Sequence, residues 1–174
     1  MTVQKGLLVK DWIKGDMISR DAILAAQNIW AERIIEIGML WQSGSDYRSF
    51  TRRFIETHYA YGHEGVTVQF KPTKARIQPF RSSLAGALSY FVGGNSDFPE
   101  DKGFALMPWK KIHFDNHAFY CNENIATVMG RYFFVDATQS ETTVEYTFGY
   151  IMGQDGALRI FLHHSSLPFS PCED

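Results

Sequence analysis

The residues best suited to chemistry stand together near the end of the chain. The run Val144–Pro168 alternates apolar and polar side chains around the turn Gly153–Gln154–Asp155–Gly156. After Leu158, Ile160 and Leu162 it turns polar, with His163, His164, Ser165 and Ser166. Pro168 then ends it, having no N–H for a neighbouring strand. A strand that finishes in imidazoles and hydroxyls brings proton-handling and anion-holding groups to the floor or mouth of a pocket. Alternate side chains share a face, so His163 goes with Ser165 and His164 with Ser166, each pair roughly 6.5–7 Å apart. His163 and His164 thus point apart and make a poor grip for one metal ion. An ordinary strand, core on one face and water on the other, fits the same pattern.

Other candidates are weaker. His113, Asp115 and His117 share one strand face, but the two histidines are roughly 13 Å apart, too far for one metal. Asp97 and Glu100 sit in a loop with no burial to raise a carboxyl pKa. Glu145 alternates with Tyr146 and Phe148, which turns it outward; it is the best candidate for a buried base if there is one. His58 lies on an apolar helix stripe and reads as a core-edge residue. The chain has no C-x-x-C, H-E-x-x-H, G-x-x-x-x-G-K-[ST] or G-x-S-x-G motif.

The elements that must hold these groups come as helices first and strands after, which argues α+β. Residues 1–18 read as an N-terminal arm, with Trp12 and Ile13 tucked against the body. Ser19 caps a helix over 20–42, whose stripe is Ile23, Ala26, Trp30, Ile34, Ile37 and Trp41. A second helix spans 46–61, with Gly62 as its stop. Val66–Val68–Phe70 reads as a strand, and Leu84, Leu88 and Phe91 as a short helix stopped by Gly93–Gly94. Tyr90 falls roughly 100° around that helix from Phe91, at the margin of its buried stripe. Strands over 110–121, 126–136, 142–152 and 157–167 form an antiparallel meander. Residues 95–108 are a polar loop, and residues 19–174 form one domain.

Composition sets limits. The 174 residues suffice for a full core, and a net charge of −2 offers no basic field to nucleic acid. Aromatic residues make up 15%, suiting an aromatic-lined cavity as well as a core. No apolar run is long enough to span a bilayer. Cys121 and Cys172 are expected as free thiols. A cytoplasmic protein is expected, or an organellar one, as in a plastid, if a transit peptide has been removed.

Helices wrapped by a curved antiparallel sheet resemble the NTF2-like, or SnoaL-like, cone fold. Five motifs are more specific: F-K-P-T (70–73), A-L-S-Y-F-V-G-G (87–94), M-G-x-Y-F-F (129–134), V-E-Y-T-F-G-Y (144–150) and L-H-H-S-S-L-P (162–168). In this order they resemble the iota-class carbonic anhydrases, from about residue 20 to the end. The resemblance implies interconversion of CO2 and bicarbonate. The resemblance covers both metal-using and metal-free members; the metal-free form is preferred because the strand spacing offers no convincing ligand triad, with Zn²⁺ or Mn²⁺ as the alternative. It places Thr73, Tyr90 and a serine around bicarbonate and its water, with Ser165 preferred and Ser166 the register alternative. Phe91, Phe134, Tyr146 and Phe148 are then candidate pocket walls, and His164 or His163 a candidate proton acceptor. A homodimer is expected. Two rivals within the fold are a non-catalytic association domain and an isomerase or hydratase, which would need an inward Glu145 or a buried His–Asp pair.

Overall fold

The long first helix begins where a side chain replaces a missing backbone partner. Ser19 Oγ accepts the Ala22 N–H at 3.1 Å, and Asp21 sits at the positive end of the helix dipole. Helix α1 then runs Arg20–Gln42 and buries Ile23, Gln27, Trp30, Ala31, Ile34, Ile37 and Gly38. Two residues depart from the expected stripe: Trp41 is exposed, and Gln27 is buried because its amide finds partners on the sheet. The structure is a computed structural model describing residues 17–171, so most of the expected N-terminal arm, including Trp12 and Ile13, lies outside the described residues, as does Cys172.

Helix α2 (Tyr47–His58) starts at Asp46, whose side chain accepts the Ser49 N–H at 3.1 Å. It stops before the expected end at Gly62. Tyr59 turns extended and forms a lone bridge to Ile160, so sheet contact overrides the helical pattern. Strand β1 (Gln69–Lys71) follows, and then α3 (Leu84–Val92), capped by Ser83 and ended by Gly93 at a φ of 63°. After a short 3-10 turn come β2 (Trp109–Cys121), β3 (Ile125–Asp136), β4 (Glu141–Met152) and β5 (Leu158–Ser166).

The sheet order is β1-β5-β4-β3-β2. Strands β2 to β5 form the expected antiparallel meander. Strand β1 corrects the purely antiparallel expectation, because it pairs parallel to β5, with Phe70 opposite His163. No hairpin joins these strands; they are separated by α3 and three strands, and such a pair has no turn to force it antiparallel.

A β-bulge in β5 decides which side chains face inward. Gly149 pairs with Leu162, but Tyr150 pairs with Ile160, leaving Phe161 as the extra residue. Ile160 is inward before the bulge, and His163 and Ser165 are inward after it. Gly149 makes room for this bulge: a Cβ there would lie 2.8 Å from the Phe161 ring and 2.9 Å from Leu162 Cβ. Without the bulge, Ile160 and Leu162 would continue inward as His164 and Ser166.

The inner face packs on α1. The Trp30 ring meets Phe114, Tyr132, Phe134, Phe148 and His163 edge-on, at centroid distances of 5.8–6.4 Å. Such pairs add about 0.5–1.5 kcal/mol each beyond the area they bury.

The loop between β1 and α3 carries Thr73 and is clasped from outside. The Glu100 carboxylate accepts backbone N–H groups from Gln78 at 2.8 Å, Ile77 at 3.0 Å and Arg76 at 2.7 Å. These bonds hold its carboxyl down at about 2. The clasp is therefore complete above the ordinary glutamate pKa of about 4.3 and comes apart as the pH falls through about 2. Glu100→Ala is expected to speed amide hydrogen exchange at Arg76, Ile77 and Gln78 while α1 stays protected; unchanged exchange at those amides would contradict this role.

Candidate active site

Ser165 points into the core, 2% exposed, beside His163. Thr73 reaches it from the β1–α3 loop, and Thr73 Oγ1 donates to Ser165 Oγ at 3.0 Å. Lys71 Nζ donates to the Ser165 backbone carbonyl at 3.1 Å, tying the strand end to the same loop. The Tyr132 hydroxyl faces both Ser165 and Thr73, close enough for their side chains to act on its pKa. Tyr90 is buried on α3, its hydroxyl near the backbone of Lys74, the residue after Thr73. Its ring stacks on Phe104 and meets Phe70 edge-on. Thr73 and Ser165 therefore meet directly, with Tyr90 and Tyr132 buried close by; the motifs did not single out Tyr132. The signal for Tyr132 was present: it stands in M-G-x-Y-F-F and shares strand parity with Val128 and Phe134, both buried.

Burial pushes the Tyr132 and Tyr90 hydroxyls well above the ordinary tyrosine pKa. Both remain protonated and can donate across the working pH range. Burial acts oppositely on His163, lowering it to about 3, with the charge of His164 adding to the effect. His163 is thus a neutral imidazole and too weak a base for the proton-accepting role expected of it. His164 is exposed and Ser166 half-buried, both on the sheet's outer face, where neither reaches Ser165. There they line a cleft of about 690 Å³ with Asp115, His117, Arg131 and Glu145. Glu145 faces outward as expected, so it supplies no buried base.

The residues expected as walls are placed as follows. The Phe148 ring lies 4.4 Å from His163, and Phe134 lies 4.8 Å from Tyr132. Phe91 stands one layer back, stacked on Phe70, which itself stacks on His163 at 4.5 Å. Tyr146 presents its ring only. Gln27 Nε2 donates to its hydroxyl at 2.7 Å, and that hydroxyl donates to Asn116 Oδ1. Its one hydrogen is therefore committed away from Ser165. Among the described residues, no group of three or more His, Cys, Asp or Glu side chains is placed to hold a metal ion.

Residues 21–167 match the family model described as metal-independent carbonic anhydrase. The chain belongs to that family. A metal-independent carbonic anhydrase of Nostoc sp. (strain PCC 7120 / SAG 25.82 / UTEX 2576) is 40% identical over 156 residues, covering 87% of this chain and 75% of that protein. The cyanobacterial iota-carbonic anhydrase solved with bicarbonate superposes with a TM-score of 0.85 at 37% identity, covering 94% of this chain and all of that one. A putative calcium/calmodulin-dependent protein kinase II association domain from Xanthomonas campestris shares the fold alone, with a TM-score of 0.55 at 20% identity over 84% of this chain and 85% of that one. The α+β expectation stands, with three helices against one five-stranded sheet, and the metal-free expectation accords with the family's description.

In this family member, His163 also links stability to pH. Its folded pKa of about 3 lies below the unfolded value of about 6.5, so between those limits the unfolded chain binds more protons. The stability is complete above about 6.5 and declines as the pH falls toward about 3. Urea midpoints are expected to drop on acidification through that window, and less steeply in His163→Gln. Equal slopes would assign the acid sensitivity to other groups.

Proposed function

We propose that this chain hydrates CO2 reversibly to bicarbonate, with Thr73, Ser165, Tyr132 and Tyr90 as its working groups and no metal. The observation that carries this reading is the Thr73–Ser165 hydroxyl pair at 3.0 Å, under tyrosines that stay protonated, among aromatic walls. The bicarbonate complex of the 37%-identical structure supports the substrate assignment.

Free water is a weak acid, with a pKa of about 15.7. The side chains must therefore supply orientation and charge stabilisation instead. Phe148, Phe134 and Phe70 offer a small apolar molecule a dry surface. The Thr73 and Ser165 hydroxyls can each donate and accept, so they can hold a water with its lone pair on the CO2 carbon. As the C–O bond forms, one C=O electron pair moves onto the oxygen facing Tyr132 and Tyr90, whose hydroxyls donate to it. The water's proton leaves through the Thr73–Ser165 pair to solvent at the half-buried Thr73. We also infer pairing with a second copy, supported by Tyr120, Ile125 and Met129, which are exposed on the strands.

Stopped-flow CO2 hydration on chelator-stripped protein tests the reading. Activity is expected to survive stripping and to fall in Thr73→Ala, Tyr132→Phe and Tyr90→Phe. Activity that returns only with added Zn²⁺ or Mn²⁺ would overturn the metal-free mechanism. Absence of activity in both states would overturn the function.

A further inference from the structure

Behind Tyr132 lies a line of buried polar groups whose hydrogens can be assigned. Trp30 Nε1–H lies 3.0 Å from the Tyr59 hydroxyl. The Tyr59 hydroxyl lies 2.9 Å from His163 Nδ1, and His163 Nε2 lies 3.4 Å from the Tyr132 hydroxyl. Tyr59 is fully buried and Trp30, His163 and Tyr132 nearly so. Water is thus kept from the middle of the line.

Its direction follows from what each group can do. The Trp30 indole N–H only donates, so the Tyr59 oxygen accepts. Tyr59 then has one hydrogen left, and His163 Nδ1 is the acceptor beside it. If Nδ1 carried the imidazole proton instead, the Tyr59 hydrogen would be buried without a partner, at a cost of about 1–3 kcal/mol. The unprotonated Nε2 would also draw the single hydrogen of Tyr132 away from Thr73 and Ser165. With the proton on Nε2, every group is satisfied: Trp30 donates to Tyr59, Tyr59 to His163, and His163 to Tyr132. The Tyr132 hydrogen is then free for the site.

We propose that Trp30, Tyr59 and His163 are positioning residues, a one-way hydrogen-bond chain that keeps the Tyr132 hydrogen turned into the site, toward the reacting oxygen beside the Thr73–Ser165 pair. This deepens the carbonic anhydrase reading and rests on it for its catalytic consequence; the tautomer it requires does not. The imidazole transfers no proton in the reaction. Its task is to present Nε2–H to Tyr132 and to leave the tyrosine no acceptor behind it.

The test joins nitrogen NMR to kinetics. In ¹⁵N-labelled protein, the His163 ring signals are identified by their loss in His163→Gln. The expected result is a neutral ring protonated at Nε2 and bare at Nδ1. A proton on Nδ1 overturns the proposal whether or not the protein hydrates CO2, so its failure is separable from that of the function. In Tyr59→Phe, the Nε2–H preference should weaken and kcat should fall roughly tenfold, about the worth of one hydrogen bond, with KM little changed. In a Tyr132→Phe background, the same Tyr59→Phe change should have almost no further effect on kcat, because the chain acts only through that hydroxyl. A Tyr59→Phe loss of equal size in both backgrounds would mark a packing defect and overturn the positioning role. Trp30→Phe gives a second route, with the same non-additivity expected.

Discussion

Ser165→Ala is expected to lower kcat for CO2 hydration by about 10²–10³-fold, within the range lost when a group that orients the attacking water and passes on its proton is removed. Little else should change, since Ser165 is small and its backbone is held by Lys71 at 3.1 Å. Thr73→Ala should fall in the same range, because Thr73 Oγ1 and Ser165 Oγ are 3.0 Å apart and share one task. The double variant should then be scarcely worse than either single one, as groups acting as a unit are not additive. Thr73→Ser, which keeps the hydroxyl, should retain most of the rate. Ser166→Ala, on the opposite face of β5, should behave as wild type. Stopped-flow rates on the five proteins decide this. A large loss in Ser166→Ala with none in Ser165→Ala would reverse the assignment of faces.

The largest loss of stability is expected at the ion pair beneath the Thr73 loop. Arg81 Nη2 and Asp101 Oδ1 are 2.8 Å apart, and both side chains are wholly shielded from solvent. The guanidinium also lies 4.4 Å over the Phe98 ring, and the Arg81 backbone N–H donates to the Phe70 carbonyl at 2.7 Å. Asp101→Ala leaves the guanidinium buried without its closest counter-charge, and removing one partner of such a pair costs about 3–5 kcal/mol. Urea unfolding should show a lower midpoint at nearly constant slope. The variant Arg81→Met/Asp101→Leu should recover much of the loss, because an apolar pair of similar volume carries no desolvation penalty. If Asp101→Ala unfolds like wild type, water reaches the guanidinium and the pair is not sealed.

Much of this was legible in the sequence where a local rule governs. Ser19 sits at a helix start because its side chain satisfies the backbone N–H three residues on. Glu145 faces out because it alternates with Tyr146 and Phe148. What stayed hidden depends on contacts between distant residues. Tyr59 continues a helical pattern, yet its bridge to Ile160 carries it out of the helix and onto His163. Gln27 reads as a solvent-facing polar residue until Asn116 and Tyr146, far along the chain, occupy its amide. The parallel pairing of β1 leaves no mark on three residues. Ser165 was preferred over Ser166 by resemblance alone, because simple alternation from Ile160 would have chosen Ser166; the bulge opposite Gly149 reverses that choice.

That bulge also bears on how the strand finds its place. The tetrapeptide His163–His164–Ser165–Ser166 reads the same from either side: each face offers an imidazole and, two residues later, a hydroxyl. A slip of one residue, which ordinarily exchanges a polar face for an apolar one, here exchanges like for like. The active segment therefore cannot proofread its own alignment. That discrimination falls upstream, to the extra Phe161 and the glycine that makes room for it, so a residue outside the chemistry sets the frame in which the chemistry is spelled.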